Sequence, residues 1–426
     1  MMHWIHTNKE LTMKHHGSVI TAIIIIFLFS LAGACSRSVK TEDAPELPLR
    51  KLTAQEEQLS QVDNAFGLKL FREINRQDNT QNIFISPLSV SLALSMAVNG
   101  AEGRTRDQMI QTLEMHDLSL EDINQANRSL TEYLVGIERD VTLQIANSIW
   151  YRSGYPIKDS FLNVNRTYYL AEVNPLDFSS QSAIDRINRW VSDKTYQQIP
   201  TILDQIDPMS MMFIINAIYF KGTWTFQFDP KKTLSAPFYP ETGDEMTCDM
   251  MEQESRLDYL ETELLQGVNL PYGDSLFYMT ILLPRDGHSV NEILDRLSQS
   301  EWDQWRSGFR SDSVHLRLPR FRTEYELKLN DVLKSLGMND AFIPGQADFS
   351  GITDQMIYIS EVRHKSMVEV NEEGTVAAAV TIIDFRNTCV PDIRFMTVNR
   401  PFIFVIHNRQ TGTILFIGKL SKPEYQ

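Results

Sequence analysis

Apolar residues fall at two different periods in the two halves of the chain. In the first half, QLSQVDNAFGLKLFREI (58–74) places Leu59, Val62, Phe66, Leu70 and Ile74 three to four residues apart, which predicts an amphipathic helix. SPLSVSLALSMAVNGAEGRT (86–105) carries Leu88, Val90, Leu92, Leu94, Met96 and Val98 with little polar face, so a buried helix closed by Gly100 is expected. A further helix is expected to start at Thr105, its hydroxyl as the cap, with Met109, Ile110 and Leu113 inward. AIDRINRWVSDKTYQQI (183–199) supplies another through Ile184, Ile187, Trp190 and Val191. Beyond it the pattern changes. SMMFIINAIYFKGTW, FYMTILLP, VHLRLPRF, PFIFVIHNR and TILFIGKL, with the earlier VTLQIANSIWYR, are β-branched and aromatic runs bounded by turn residues. Several are apolar on both faces, as strands inside a covered sheet must be. Helices early and strands late give an α+β class with large sheets.

The 426 residues, 42% hydrophobic and 22% charged, allow a large core. Residues 13–35, MKHHGSVITAIIIIFLFSLAGAC, pass from a short basic region through an apolar stretch to small residues and Cys35, which reads as a secretory signal with Met13 as the better start. The apolar run is short for a membrane span. LAGAC resembles a bacterial lipobox, which makes Cys35 the expected lipidated first residue of a lipoprotein; Ala32, Gly33 and Ala34 would also serve as an ordinary cleavage site. The expected organisation is a signal over 1–34, a lipidated N-terminus and acidic, proline-containing tether over 35–55, and one domain over 56–426. The expected location is the cell envelope, lipid-anchored on its periplasmic or extracellular face, or secretion if Cys35 carries no lipid.

Of 40 basic and 55 acidic residues, removal of 1–34 takes Lys9, Lys14 and Glu10 and leaves 38 and 54, a net charge of −16 that disfavours a nucleic-acid partner. With Cys35 lipidated, only Cys248 and Cys389 remain, one bridge at most. No G-x-S-x-G, H-E-x-x-H, S-x-x-K, Walker or C-x-x-C motif is present, and His116, His288, His315, His364 and His407 are scattered. No enzyme, metal site or cofactor is expected.

Five motifs then occur in order: NIFISPLSVSLALSMAVNGAEGRT, INAIYFKGTWTFQFDP followed by Thr233, LPRFRTEYELKLNDVLKSLGM with AFIPGQADFSGI, VRHKSMVEVNEEGT, and NRPFIFVIHNRQTGTILFIGKL. On these the chain, from about Gln61 to Leu420, resembles the serpins. The resemblance implies three β-sheets wrapped by eight or nine helices, with a reactive-centre loop exposed at one pole, here about 372–391. It implies a monomer that inhibits serine endopeptidases, and cysteine ones as a further class, by a suicide route: the target cleaves the loop, is held as an acyl-enzyme, and is carried away as the loop inserts into the main sheet. Glu372, Glu373, Gly374 and Thr375 match the hinge, and Ala377, Ala378 and Ala379 the small residues beyond it. After insertion Thr375, Ala377, Ala379 and Thr381 would face the core. Ser86, Ser89, Asn216 and His364 match the shutter beneath the sheet. Trp224 matches the breach, where Glu372 is expected to pair with Arg320. The family register puts the reactive bond at Thr388–Cys389; a slip of two residues makes it Arg386–Asn387. Val376, Val380, Ile382 and Ile383 depart from the usual loop in being apolar, which bears on insertion rate. The other reading is a non-inhibitory serpin that acts as a binding or chaperone-like module; Gly374–Thr375 followed by alanines favours inhibition.

Overall fold

The computed structural model describes residues 49–77, 82–137, 140–375 and 393–425. Residues 51–426 form one unit, and of 1–50 only Leu49 and Arg50 are described. The described residues contain nine α-helices and fifteen strands. The first half holds α1 (Ala54–Gln77), β1 (Ile83–Ile85), α2 (Pro87–Val98), α3 (Gly103–Thr112), α4 (Leu120–Gly136), β2 (Val141–Arg152), α5 (Asp159–Tyr168), β3 (Glu172–Leu176) and α6 (Gln181–Lys194). Next come β4 (Met212–Thr223), β5 (Leu234–Phe238), β6 (Met246–Glu261), β7 (Leu265–Tyr272), β8 (Phe277–Pro284), α7 (Val290–Arg296) and α8 (Gln299–Gly308). The chain closes with β9 (Arg310–Pro319), β10 (Phe321–Lys328), α9 (Asn330–Ser335), β11 (Arg363–Val370), β12 (Gly374–Thr375), β13 (Arg394–Thr397), β14 (Phe402–Asn408) and β15 (Ile414–Leu420).

The strands make one six-stranded network, β10-β11-β12-β4-β2-β3, and one nine-stranded network, β1-β15-β14-β8-β7-β6-β9-β13 with β5 on β6. Two of the expected sheets run together in the second network through β6. That strand pairs with β5 over Met246–Met250, with β9 over Met250–Tyr259 and with β7 over Asp258–Glu261. Every residue of β8, β14 and β15 is buried, which accounts for sequences that are apolar except at Thr280, His407, Asn408 and Lys419.

Helix α2 is apolar nearly all round and lies in the middle of the unit, in contact with α1, β4 and β15. Ser86 starts it: its hydroxyl accepts from the Ser89 amide, and Pro87 fills the first helical position, where a missing N–H leaves nothing unpaired. α1 approaches it closely, since a Cβ on Gly67 would come within 2.4 Å of Pro87. Helix α6 lies on β2 and β4 through Ile187, Trp190 and Val191, with Trp190 edge-on to Trp150 at 6.1 Å. Helix α3 corrects one expectation. It begins at Gly103, two residues before Thr105, and its N-cap Glu102 makes no side-chain cap. The Thr105 hydroxyl instead accepts from the Asp348 amide, 2.9 Å away, because a buried threonine at that turn is closer to the incoming loop than to the helix end.

Candidate functional site

The six-stranded sheet is interrupted at its centre. β4 pairs with β2 along eleven residues and β11 with β10 along eight, yet among the described residues no register joins β4 directly to β11. Gly374 and Thr375 stand between them. Gly374 faces Thr223, and Thr375 faces Gly222 on β4 and Val370 on β11, both antiparallel. The two flanking strands therefore run parallel to each other, about two strand spacings or 9 to 10 Å apart at this rung.

The residues chosen for the rung are those that fit. Gly374 has φ +152, and a Cβ there would lie 2.2 Å from the Gly222 carbonyl oxygen, so only glycine passes. Thr375 is 3% exposed, and its hydroxyl is 2.7 Å from the equally buried Tyr272 hydroxyl. Asn371 shapes the turn before it, its side-chain oxygen accepting from the amides of Glu373 and Gly374 at 3.1 and 3.3 Å.

Trp224 and Arg320 converge on the same point. The Trp224 indole N–H donates to the Asn371 carbonyl at 2.9 Å, its amide donates to the Glu373 carbonyl, and its ring stacks on Tyr272 at 4.4 Å. The Glu372 carboxylate accepts from the Thr233 hydroxyl at 2.6 Å and faces the Arg320 guanidinium at 3.5 Å. Arg320 also faces Asp249 at 3.8 Å and lies 4.0 Å over the ring of Tyr425. The expected neighbours Trp224, Arg320 and Glu372 are thus together, and the Arg320 to Glu372 contact is an ion pair longer than a hydrogen bond.

Ser86, Ser89 and His364 also meet. The Ser86 amide donates to His364 Nε2 at 3.1 Å, and its hydroxyl donates to the Leu415 carbonyl at 2.7 Å. Burial pushes the His364 imidazole down to about 4, so it is neutral and its Nε2 is free to accept. Asn216 is not part of this group among the described residues. It donates to Asn147 Oδ1 at 2.8 Å, Asn147 to the Tyr169 carbonyl, and the Tyr169 hydroxyl to Asn124, which exchanges amide bonds with Asn99. Asn216 sits six residues before Gly222 on β4, and His364 six before Val370 on β11. They are level, on opposite sides of the interruption.

The segment after Thr375 ends on the other network, where Arg394 to Thr397 pair in parallel with β9. Its two feet therefore stand on different sheets. Ala377, Ala378 and Ala379, both candidate bonds (Thr388–Cys389 and Arg386–Asn387) and the lipidation candidate Cys35 lie outside the described residues. Cys248 is buried on β6 and burial pushes its thiol up to about 11, so it is an inert thiol.

Residues 61–423 match the family model described as Serpin (serine protease inhibitor). The chain belongs to the serpin family. Leukocyte elastase inhibitor A of Mus musculus is 36% identical over 86% of this chain and all of its own, and Iripin-2 of Ixodes ricinus is 35% identical over 87% and 95%. Among solved structures, the thermophilic serpin tengpin is 34% identical in its native state, with TM-score 0.79 over 88% of this chain and 95% of that one. Its latent state gives 32% and 0.76 over 88% and 100%, and a thyroxine-binding globulin complex with thyroxine gives 28% and 0.78 over 86% and 100%.

Three residues around the Gly374–Thr375 rung have no part in the sequence-based expectations: Asn371, Tyr272 and Tyr425. Asn371 had a local signal, an Asx turn in N-E-E-G. Tyr272 and Tyr425 had none, since each reaches its partner from about fifty to a hundred residues away.

Proposed function

We propose that this serpin is an irreversible suicide-substrate inhibitor of serine endopeptidases, with cysteine endopeptidases as a second target class. A target's nucleophile attacks the carbonyl at the reactive bond, an ester or thioester forms, and the peptide bond to the C-terminal piece breaks. The freed loop then continues the strand that Gly374 and Thr375 begin. Fourteen or so added residues, at a net ~1 kcal/mol per new hydrogen bond, stabilise the inserted form by on the order of 10 kcal/mol. At ~3.3 Å per residue, travel past the twelve residues of β4 carries the attached protease roughly 40 Å. The protease escapes only if water hydrolyses the acyl bond before that travel ends, so insertion races deacylation.

The observation that carries this reading is the rung itself: a glycine and a small buried threonine seated between two parallel strands that have no register with each other among the described residues. The intact fold is then a kinetically held state with a more stable form available. Thr388–Cys389 is the favoured reactive bond, with Arg386–Asn387 as the other. We also assign 1–34 as signal and Cys35 as a lipid attachment that holds a monomer at the cell envelope. Similarity to a thyroxine-binding globulin supports a second reading, a serpin that binds rather than inhibits.

The test is to mix the domain with trypsin, an elastase, subtilisin and papain and read denaturing gels and intact masses. A species surviving denaturation at the summed mass, less a C-terminal fragment, is expected, and the fragment mass identifies the bond. Clean loop cleavage by all four with every protease left active refutes inhibition of that panel. Cleavage without any gain in thermal stability favours the binding reading.

A further inference from the structure

The segment after β15 turns back toward the hinge and is tied down at each step. The amides of Ser421 and Lys422 donate to Asn82 Oδ1 at 2.7 and 3.0 Å, and Asn82 Nδ2 donates to the Lys422 carbonyl. Pro423 is buried, and the Glu424 carbonyl accepts from the Arg322 amide on β10 at 2.7 Å. Tyr425 then touches both β11 and the connection between β9 and β10. Its hydroxyl donates to Glu369 Oε1 on β11 at 2.8 Å, and its ring lies 4.0 Å under the Arg320 guanidinium. Glu369 is the register partner of Arg322, so the Tyr425 side chain links β11 to the β9–β10 connection beside the point where the hinge enters.

Arg320 needs such a support. Its carboxylate partners stand at 3.5 Å (Glu372) and 3.8 Å (Asp249), its Nε has no hydrogen bond among the described residues, and its side chain is about a quarter exposed. A guanidinium held only by long ion pairs in partial solvent samples many rotamers. The tyrosine face restricts it through a cation–π contact.

We propose that Tyr425 is a positioning residue for hinge insertion: it fixes Arg320 against Glu372 and so favours the seated hinge. The inference rests on the insertion mechanism proposed above. All these contacts are made with Thr375 already in the sheet, so their loss weakens the seated form and slows entry. Removing a cation–π contact worth roughly 1 kcal/mol corresponds to about a fivefold change.

The experiment measures the partition ratio, cleaved serpin per covalent complex, together with the rate of loop cleavage, for Tyr425→Ala, Tyr425→Phe, Arg320→Ala and the double variant Tyr425→Ala/Arg320→Ala. Tyr425→Ala is expected to raise the ratio about fivefold at unchanged cleavage rate, and Tyr425→Phe, which keeps the ring, to raise it less. In the Arg320→Ala background the tyrosine change should add nothing, which a purely structural role would not predict. An unchanged ratio in Tyr425→Ala, or its full effect persisting without Arg320, overturns the proposal. The same variants are compared without inhibition by nicking the loop with a zinc metalloendopeptidase, which forms no acyl-enzyme, and timing the gain in guanidinium resistance. Wild-type protein that gains none overturns the insertion mechanism and this inference with it. A wild-type gain at a rate Tyr425→Ala leaves unchanged overturns the positioning role alone.

Discussion

Replacing Thr375 with arginine tests the rung most directly. Thr375 is 3% exposed, faces Gly222 and Val370 across the ladder, and shares a 2.7 Å hydroxyl contact with Tyr272. An arginine must either bury a guanidinium beside the Tyr272 phenol or keep the first rung from forming. The buried option costs several kcal/mol, and the lost hydroxyl contact adds about 1 kcal/mol. Against a total gain on the order of 10 kcal/mol for the whole strand, that does not abolish the inserted state. It falls on the earliest step, however, and 4 kcal/mol at the barrier slows entry roughly a thousandfold. On the proposed mechanism, deacylation then wins the race. Thr375→Arg should be cleaved as fast as wild type, form little or no covalent complex, and leave the protease active, while Thr375→Val, which loses only the hydroxyl, should shift the partition ratio a few-fold. Stoichiometric titration of protease activity with parallel denaturing gels reads both. Wild-type stoichiometry in Thr375→Arg would refute the rung as the entry step.

Other consequences are open to measurement. Burial lowers His364 to about 4, below its ordinary 6.5, so the unfolded chain takes up that proton first as pH falls; stability present above pH 6.5 is lost toward pH 4, by up to about 3 kcal/mol, and urea unfolding of His364→Gln should have a flatter acid limb. Asp63 shows the opposite sign: burial raises its carboxyl to about 7, its Oδ1 accepts from Ser91 at 2.5 Å, and its Oδ2 has no partner among the described residues. Its contribution is complete below pH 3.8 and is lost as pH rises from there to about 7, so Asp63→Asn should raise the melting temperature by a few degrees at pH 8 and by less than half as much at pH 5. Trp224→Phe removes the bond to the Asn371 carbonyl and should destabilise the cleaved form by about 1 kcal/mol, read from its guanidinium midpoint.

What sequence could reveal here follows from range. β8, β14 and β15 were legible because strands covered on both faces are apolar at most positions of either face, and α1 because one face is buried. β6 was not: MTCDMMEQESRLDYLE changes neighbours twice along its length, so no single alternation survives. β7 hides behind Gly267 and Pro271, and Gly267 is there because a Cβ would come within 2.9 Å of Phe309. The start of α3 was misplaced because a threonine that bonds a distant loop looks the same as one that caps. At the hinge, Gly374 and Thr375 were readable through the family motif, as was the Arg320 to Glu372 pairing. Asn216 and His364, grouped by motif, prove to be level but on facing strands, a relation visible only through register.

The two groups of contacts flanking the interrupted sheet differ in kind. Arg320, Asp249 and Glu369 are charged and partly in water, and Glu372 is charged and buried against Arg320, whereas Ser86, His364, Asn216 and Asn147 are uncharged and mostly buried. Dissolved salt therefore acts on them unequally. Raising ionic strength from 0.01 to 1 M shrinks the screening length from about 30 to 3 Å, which weakens the first group and leaves the second nearly untouched. On the insertion mechanism proposed above, the ions of the surroundings become a setting of how readily the Arg320 end of the sheet receives the loop, while the His364 end keeps the same resistance in fresh water and in brine.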